Sequence, residues 1–389
     1  MRTGLVFLIV AYCLSQFFRA FLAVLAPVLQ TELGATTADL STASGLWFAC
    51  FALMQLPVGW ALDTLGPRRV AAALFTMGAV GGAILFALAQ GPTAIIIAMG
   101  LIGIGCAPIL MATYFIFARE FSSAVFGTLA GVTVGISSLG NLASAAPLAL
   151  AIDAFGWRET LWATAAFTAF IALGIMLFVR DPVKPDGEAN GSFVELLRMR
   201  ALWPILAVMF VSYAPMAGIR GLWISSYLSD VFGSNLALLG TATLTMGLAM
   251  VVGNFVYGPI DRIVGSRKWG IFAGNLIVAL LLLAFFLMPP DGFWIALAMF
   301  AAIGLFGASY PAVMAHGRAF LPPHLTGRGV TLLNLFGMGG AGVMLFASGP
   351  GYLRLSNALG SAPAYGALFA IIGAIILFGL VAYIAAEDR

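Results

Sequence analysis

Gly59-Trp60-Ala61-Leu62-Asp63-Thr64-Leu65-Gly66-Pro67-Arg68-Arg69 returns later in the chain as Gly258-Pro259-Ile260-Asp261-Arg262-Ile263-Val264-Gly265-Ser266-Arg267-Lys268. Gly59 to Gly258, Gly66 to Gly265, Arg68 to Arg267 and Arg69 to Lys268 share one offset, 258 − 59 = 199 residues. Only the aspartate slips by one position, from Asp63 to Asp261. Each copy follows a long apolar run and precedes another, so each reads as a tight, charged hairpin between two membrane helices. Two similar halves that both fold such hairpins are the sequence form of a secondary transporter built from repeats.

Composition points the same way. The chain is 62% hydrophobic and 8% charged, where soluble domains run at about 45–50% and about 25%. A mean hydropathy of +1.06 leaves no room for a sizeable water-soluble domain. The net charge of +3 gives no nucleic-acid reading, because the basic residues do not cluster on one polar element. Cys13, Cys50 and Cys106 lie inside apolar runs and read as small buried packing residues rather than a disulfide or a metal site. The two histidines make no metal motif. No phosphate loop, dinucleotide fingerprint or catalytic triad is present, so neither an enzyme nor a cofactor is expected. The N-terminus has one arginine and no small-residue cleavage pattern ahead of its apolar run, and reads as a retained first span.

A helix needs about 20 apolar residues to cross the hydrocarbon core. Such runs fall near 4–29, 41–62, 70–89, 92–117, 124–150 and 158–179, then near 201–228, 236–259, 269–288, 292–315, 326–349 and 362–384. The expected fold is all-α and membrane-integral: twelve transmembrane helices in two six-helix bundles, 1–179 and 201–389, related by a pseudo-twofold axis. The polar stretch 180–200 between them, with Asp181-Pro182 and Lys184-Pro185, is a linker by composition. With the N-terminus inside, the cytosolic segments hold Arg2, Arg68, Arg69, Arg119, Arg180, Lys184, Arg198, Arg200, Arg262, Arg267, Lys268, Arg318, Arg328 and Arg389, which is 14 of the 18 basic residues. The outer loops hold only Arg158 and Arg354. This bias places both termini and the linker in the cytosol.

At this point the chain resembles the major facilitator superfamily over its whole length. Six plus six spans, a charged central linker and the doubled loop after spans two and eight carry the resemblance, together with Phe155-Gly156-Trp157-Arg158 entering span six. The family pattern reads Gly-x-x-x-Asp-(Arg/Lys)-x-Gly-x-(Arg/Lys)-(Arg/Lys). Thr64 departs from it where a basic residue is usual, and the second copy has Tyr257 four residues before Asp261 and one extra residue before Gly265. The resemblance implies that Asp63, Arg68, Arg69, Asp261, Arg262, Arg267 and Lys268 gate the cytosolic side when the cavity faces outward. The plainer reading is that these residues anchor the hairpins at the lipid headgroups. The resemblance also implies a bacterial cytoplasmic (inner) membrane protein working as a monomer.

Two basic residues remain, Arg19 in span one and Arg220 in span seven, each with apolar sequence on both sides. A charge inside the bilayer costs about 2.5–3.5 kcal/mol on insertion scales and marks function. The pair follows the repeat, since 220 − 19 = 201 lies within two residues of the loop offset, and Tyr12 and Tyr213 each precede their arginine by seven positions. Seven residues is nearly two helical turns, so tyrosine and arginine share a face. Gln16 falls between them on span one, and Trp223 and Tyr227 extend the stripe on span seven. By helix number, Tyr114 on span four and Tyr310 on span ten join the cavity, since the resemblance makes spans one, four, seven and ten its lining. Guanidinium groups bind carboxylate, sulfonate or phosphate through paired hydrogen bonds, so a small anionic substrate is expected. The glycerol-3-phosphate/phosphate antiporters and the oxalate/formate exchangers are similar in architecture and site logic. The competing reading is that either arginine snorkels to the outer headgroups.

All fifteen acidic residues fall in loops, the linker, the termini or helix ends, so no buried carboxylate for proton coupling is visible. Ile136 stands where drug/proton antiporters of the family carry a proline after Gly135 in span five. Glycine clusters at Gly103–Gly105, Gly131–Gly140 and Gly337–Gly340 predict close helix contacts. The leading expectation is an alternating-access carrier of a small organic anion. A proton-coupled drug or metabolite efflux carrier and a non-transporting sensor or assembly factor with the same fold stand beside it.

Overall fold

The computed structural model describes residues 2–35, 37–182, 192–234 and 236–388, and every described element is a helix. Residues 183–191 of the expected linker lie outside the described residues. Ten described helices are long and apolar enough to cross a bilayer, and Thr42–Leu53 with Gln55–Leu65, bent by 41°, makes an eleventh. The remaining apolar helix, Arg200–Met216, is shorter and belongs to span seven. There the α-helix Trp203–Gly218, with Pro215 inside it, passes into a π-helical turn, Ile219–Trp223, before Ile224–Phe232 resumes. The spans predicted from apolar runs therefore all have a helical counterpart.

The chain forms two compact units. The first comprises Met1–Phe121, Ile136–Phe193 and Pro322–Leu332; the second comprises Ser122–Gly135, Val194–Leu321 and Leu333–Arg389. Each is most of one sequence half with a short piece of the other, namely the opening of span eleven in the first unit and of span five in the second. Glycine explains both pieces. Gly59 sits against Thr331 and the backbone of Arg328, and Gly131 against the backbones of Asn254 and Gly258.

The glycine clusters also set helix spacing inside each unit. In the first, Gly140 on span five meets the backbone of Cys13 on span one, and Gly103 on span four meets that of Trp47 on span two. In the second, Gly340 on span eleven meets the backbone of Phe210 on span seven, while a methyl group at Gly339 would meet nothing within 4 Å. Opposite outcomes are therefore expected for neighbouring substitutions. Gly340→Ala should lower the melting temperature in detergent, because its methyl collides with backbone. Gly339→Ala should raise stability by about 0.5–1 kcal/mol, the usual gain from removing glycine's freedom within a helix. Equal melting temperatures for the two variants would show that span eleven does not press on span seven at Gly340.

Each unit is stapled at both ends by related contacts. At one end Trp157 Nε1, at the start of span six, donates to Glu32 on span one at 2.7 Å. Tyr365 Oη, at the start of span twelve, donates to Asp230 on span seven at 2.5 Å. At the other end the backbone N–H of Arg68 donates to Asp181 at 2.7 Å, and that of Lys268 to Asp388 at 3.2 Å. Spans six and twelve present Phe170, Leu173 and Leu177, and Ile371, Phe378 and Val381, as exposed apolar faces suited to lipid tails.

Candidate functional site

Span one carries Tyr12 and Gln16 as buried residues and Arg19 half-buried, in the last turn before the helix breaks. Arg2–Ala20 ends there and Leu22–Leu33 begins after Phe21. The Arg19 guanidinium lies over span two, 5.1 Å from the ring of Trp47, 5.6 Å from Phe51 and 5.9 Å from Phe48. Each such cation–π contact is worth about 0.5–1 kcal/mol when exposed and about 2 when desolvated. Span two is brought to this position by span four, where Gly100 packs on Leu46 and Cys50, and Gln55 donates to the carbonyls of Phe51 at 3.0 Å and Ala107 at 3.5 Å. Tyr114 is fully buried on span four and interacts electrostatically with Tyr12. Among the described residues, Gln16 Oε1 and Trp47 Nε1 are buried polar atoms with no hydrogen-bond partner. Buried polar groups are nearly always satisfied, so such a pair beside a cation needs an explanation.

Arg220 occupies the π-turn of span seven. A π-turn adds one residue to the helix, and turns of this kind favour functional positions. The guanidinium lies against Gly247 on span eight, whose added methyl would stand 3.4 Å from Arg220 Nε and Nη2. Gly247 is the repeat partner of Phe48, since 48 + 199 = 247. The two arginines thus rest on equivalent positions of the neighbouring span, one on aromatic rings and the other on a bare backbone. Arg220 Nε has no hydrogen-bond partner among the described residues. Tyr213 interacts electrostatically with Arg220 and packs on Tyr310 with ring centroids 5.5 Å apart. Tyr310 Oη donates to Asn334 Oδ1 at 2.7 Å.

The seven-residue stripe expected on span seven stops at Arg220. Trp223 Nε1 donates to Ser348 at 3.1 Å and its ring meets Tyr352 and Tyr365. Tyr227 is wedged among Phe285, Phe300, Tyr365 and Phe369. The extra residue of the π-turn rotates everything beyond it by about 100° relative to a regular helix. Tyr213 and Arg220 keep company, while Trp223 and Tyr227 join an aromatic cluster built by spans nine, ten, eleven and twelve.

The doubled loop folds differently in its two copies. Asp63 is buried, and its carboxylate accepts from the backbone N–H of Gly327 at 2.8 Å and of Arg328 at 3.1 Å. It also lies 3.7 Å from Arg328 Nη1. It therefore caps the N-terminus of Thr326–Leu359, where an anion is favoured by free N–H groups and the helix dipole. Asp261, displaced by one residue in the repeat, instead pairs with Arg267 Nη2 at 2.5 Å and accepts from its neighbour Arg262 N at 3.0 Å. One residue turns a helical side chain by about 100°, so the slip read in the sequence redirects the carboxylate from a distant helix to its own hairpin. Arg68 faces Asp181, Lys268 Nζ donates to Ile384 O at 2.7 Å, and Arg69 and Arg262 are exposed. Within the second unit, His316 bonds Tyr383 Oη at 2.6 Å and Glu387 O at 2.9 Å.

Sequence reasoning missed four groups. The seat of Arg19 had a signal in Trp47 and Phe51, aromatic residues four apart on the span that the first hairpin places next to it. The carboxylates Asp181 and Asp388 had one too, each lying three or four residues past the last span of its half. The Gly327-Arg328 partner of Asp63 had none, because nothing local marks a helix start as a receptor.

The Major Facilitator Superfamily model matches residues 8–344. The probable sulfoacetate transporter of Cupriavidus necator is 24% identical over 289 residues, 69% of this chain and 65% of that protein, so the match spans just under two thirds of that relative's length. The galacturonate transporter of Dickeya chrysanthemi is 26% identical over 342 residues, 78% of this chain and 91% of that protein. Among solved structures, the human organic anion transporter MFSD10 superposes with a TM-score of 0.79 at 15% identity, covering 98% of this chain and 99% of that one. That likeness concerns the fold.

Proposed function

The chain belongs to the Major Facilitator Superfamily, and from that premise we propose that it is an alternating-access carrier of a small organic anion held by Arg19 and Arg220. The substrate class is carboxylate, sulfonate or phosphate ester. The observation that carries the reading is the placement of two intramembrane arginines, related by the internal repeat, at the two interruptions of spans one and seven. Broken helices in repeat-related spans are where secondary transporters build their substrate sites. Tyr12, Gln16, Tyr114, Tyr213 and Tyr310 are the polar neighbours that would orient the ligand. The names of two relatives, a sulfoacetate and a galacturonate transporter, fall within the same chemical class.

In this reading residues 1–179 and 201–389 are the two six-helix bundles, 180–200 is the cytosolic linker, and both termini face the cytosol of a bacterial inner membrane. Asp63 and its helix cap hold the cytosolic side closed, with Arg68, Arg69, Asp261, Arg262, Arg267 and Lys268 as supports, and the functional unit is a monomer.

The direct test is a thermal-shift screen of purified protein against mono- and dicarboxylates, sulfonates and phosphate esters. A ligand at one hundred times its Kd adds about 2.7 kcal/mol of apparent stability. A rise for one anion class, absent for cationic and neutral compounds, supports the proposal. A response to lipophilic cations alone would replace it with the efflux reading. Coupling is testable separately. Among the described acidic residues only Asp63 is buried, and it is engaged as a helix cap. Uptake of a permanently charged substrate analogue into vesicles should therefore change less than about twofold when a proton gradient is imposed. Steep stimulation would redirect attention to His316 or Asp63.

A further inference from the structure

A cavity of about 380 Å³ opens among spans seven, eleven and twelve of the second unit, and none of the residues assigned to the anion lines it. Its wall is apolar almost throughout, with Val211 from span seven, Ala347 and Leu355 from span eleven, and Ile371 and Ile375 from span twelve. Ile371 and Ile375 are about half exposed, so the cavity is a groove in a surface rather than a sealed void. One charged side chain lines it, the exposed Arg354.

The position of that charge is set by helix length. Span eleven runs as one helix from Thr326 to Leu359, and Arg354 is 354 − 326 = 28 residues along it. At about 1.5 Å per residue this is a rise of about 42 Å. The hydrocarbon core is about 30 Å thick and about 40–45 Å with its headgroups. Arg354 therefore stands in the headgroup layer at the end of span eleven opposite Thr326, and the groove descends from it into the hydrocarbon. From Leu355 down to Gly340 the lining covers 15 residues, about 22 Å, more than one leaflet's depth. Arg158, the other basic residue expected on this face, is already committed. It donates to the carbonyls of Ala87 and Ala89 at 2.7 and 2.8 Å.

We propose that this groove is a binding site for one anionic phospholipid, with an acyl chain between spans seven, eleven and twelve and the phosphate on Arg354. A dry groove of lipid-tail polarity with one cation at phosphate height matches a tail and an anionic head in both chemistry and depth. A small water-soluble anion would use only the arginine and leave the apolar wall unfilled.

The test is native mass spectrometry of delipidated, detergent-solubilised full-length protein titrated with phosphatidylglycerol and phosphatidylcholine of identical chains. The wild type should hold one saturable lipid and favour phosphatidylglycerol by about fivefold, the effect of one basic residue near an anionic headgroup. Arg354→Gln should erase the preference and keep the lipid, because the tail contacts remain. Ala347→Trp, at an exposed lining position, should displace both lipids by filling the groove. Equal affinity for the two lipids in the wild type, a preference that survives Arg354→Gln, or unchanged occupancy in Ala347→Trp would each overturn the proposal. Non-saturating binding of many lipids would do the same, as it describes an ordinary annulus. None of these readouts depends on transport.

Discussion

Arg19→Gln and Arg220→Gln are each expected to weaken anion binding roughly thirtyfold or more. Truncating one partner of a buried charge-assisted contact costs about 2–5 kcal/mol, and about 1.4 kcal/mol is a factor of ten. Lysine should rescue only in part, since an ammonium cannot reproduce the planar fork of donors. The double glutamine variant should lose less than the sum of the singles, because both side chains contact one ligand. Arg19 carries an added demand: its guanidinium rests on Trp47, Phe48 and Phe51. Trp47→Leu should therefore weaken binding as well, by loosening the arginine rather than removing charge. Isothermal titration with the best ligand of the thermal-shift screen measures all of these variants, in protein shown to be folded. Near-normal affinity in either single glutamine variant would make that arginine a headgroup anchor and remove the two-arginine site.

The second large effect is expected at Asp63. Its carboxylate and the Arg328 guanidinium are both about 6% exposed and 3.7 Å apart, and the same carboxylate takes two backbone N–H groups. Breaking a buried pair by removing one partner costs about 3–5 kcal/mol. Asp63→Asn keeps one acceptor oxygen but loses the charge, so the state in which Asp63 caps the helix at Thr326 should lose about 3 kcal/mol or more. A cysteine at Thr331 reports on that state, because Thr331 is fully buried and lies against Gly59. In a background without native cysteines, maleimide labelling of Thr331→Cys should accelerate by about a hundredfold when Asp63 is replaced. Unchanged labelling would reduce Asp63 to a hairpin anchor.

Much of the fold was legible because membrane helices announce themselves by length and apolarity, and because a duplication repeats its own punctuation. The doubled loop, the twelve apolar runs and the tight glycines all depend on local sequence. Legibility failed where geometry was broken or distant. The stripe Tyr213–Arg220–Tyr227 assumed a regular helix, and the π-turn at Ile219–Trp223 sends Tyr227 into an aromatic cluster. Seven-residue spacing cannot register one inserted residue. The seating of the arginines on Phe48 and Gly247 was hidden for another reason, since it depends on which face span two and span eight turn toward their neighbours. The one-residue slip from Asp63 to Asp261 was visible from the start, and its effect on the two hairpins follows from the helical repeat alone.

The Asp63 cap also imposes an order on synthesis. Asp63 and Gly327 are 264 residues apart in the chain. At about 5–20 residues per second the carboxylate emerges roughly 13 to 53 s before its partner is made. Asp181, which receives the amide of Arg68, is only 113 residues away and arrives in under half that time. The first hairpin is thus held by its near contact while the ribosome is still working, and the far one closes only when the eleventh span has been inserted.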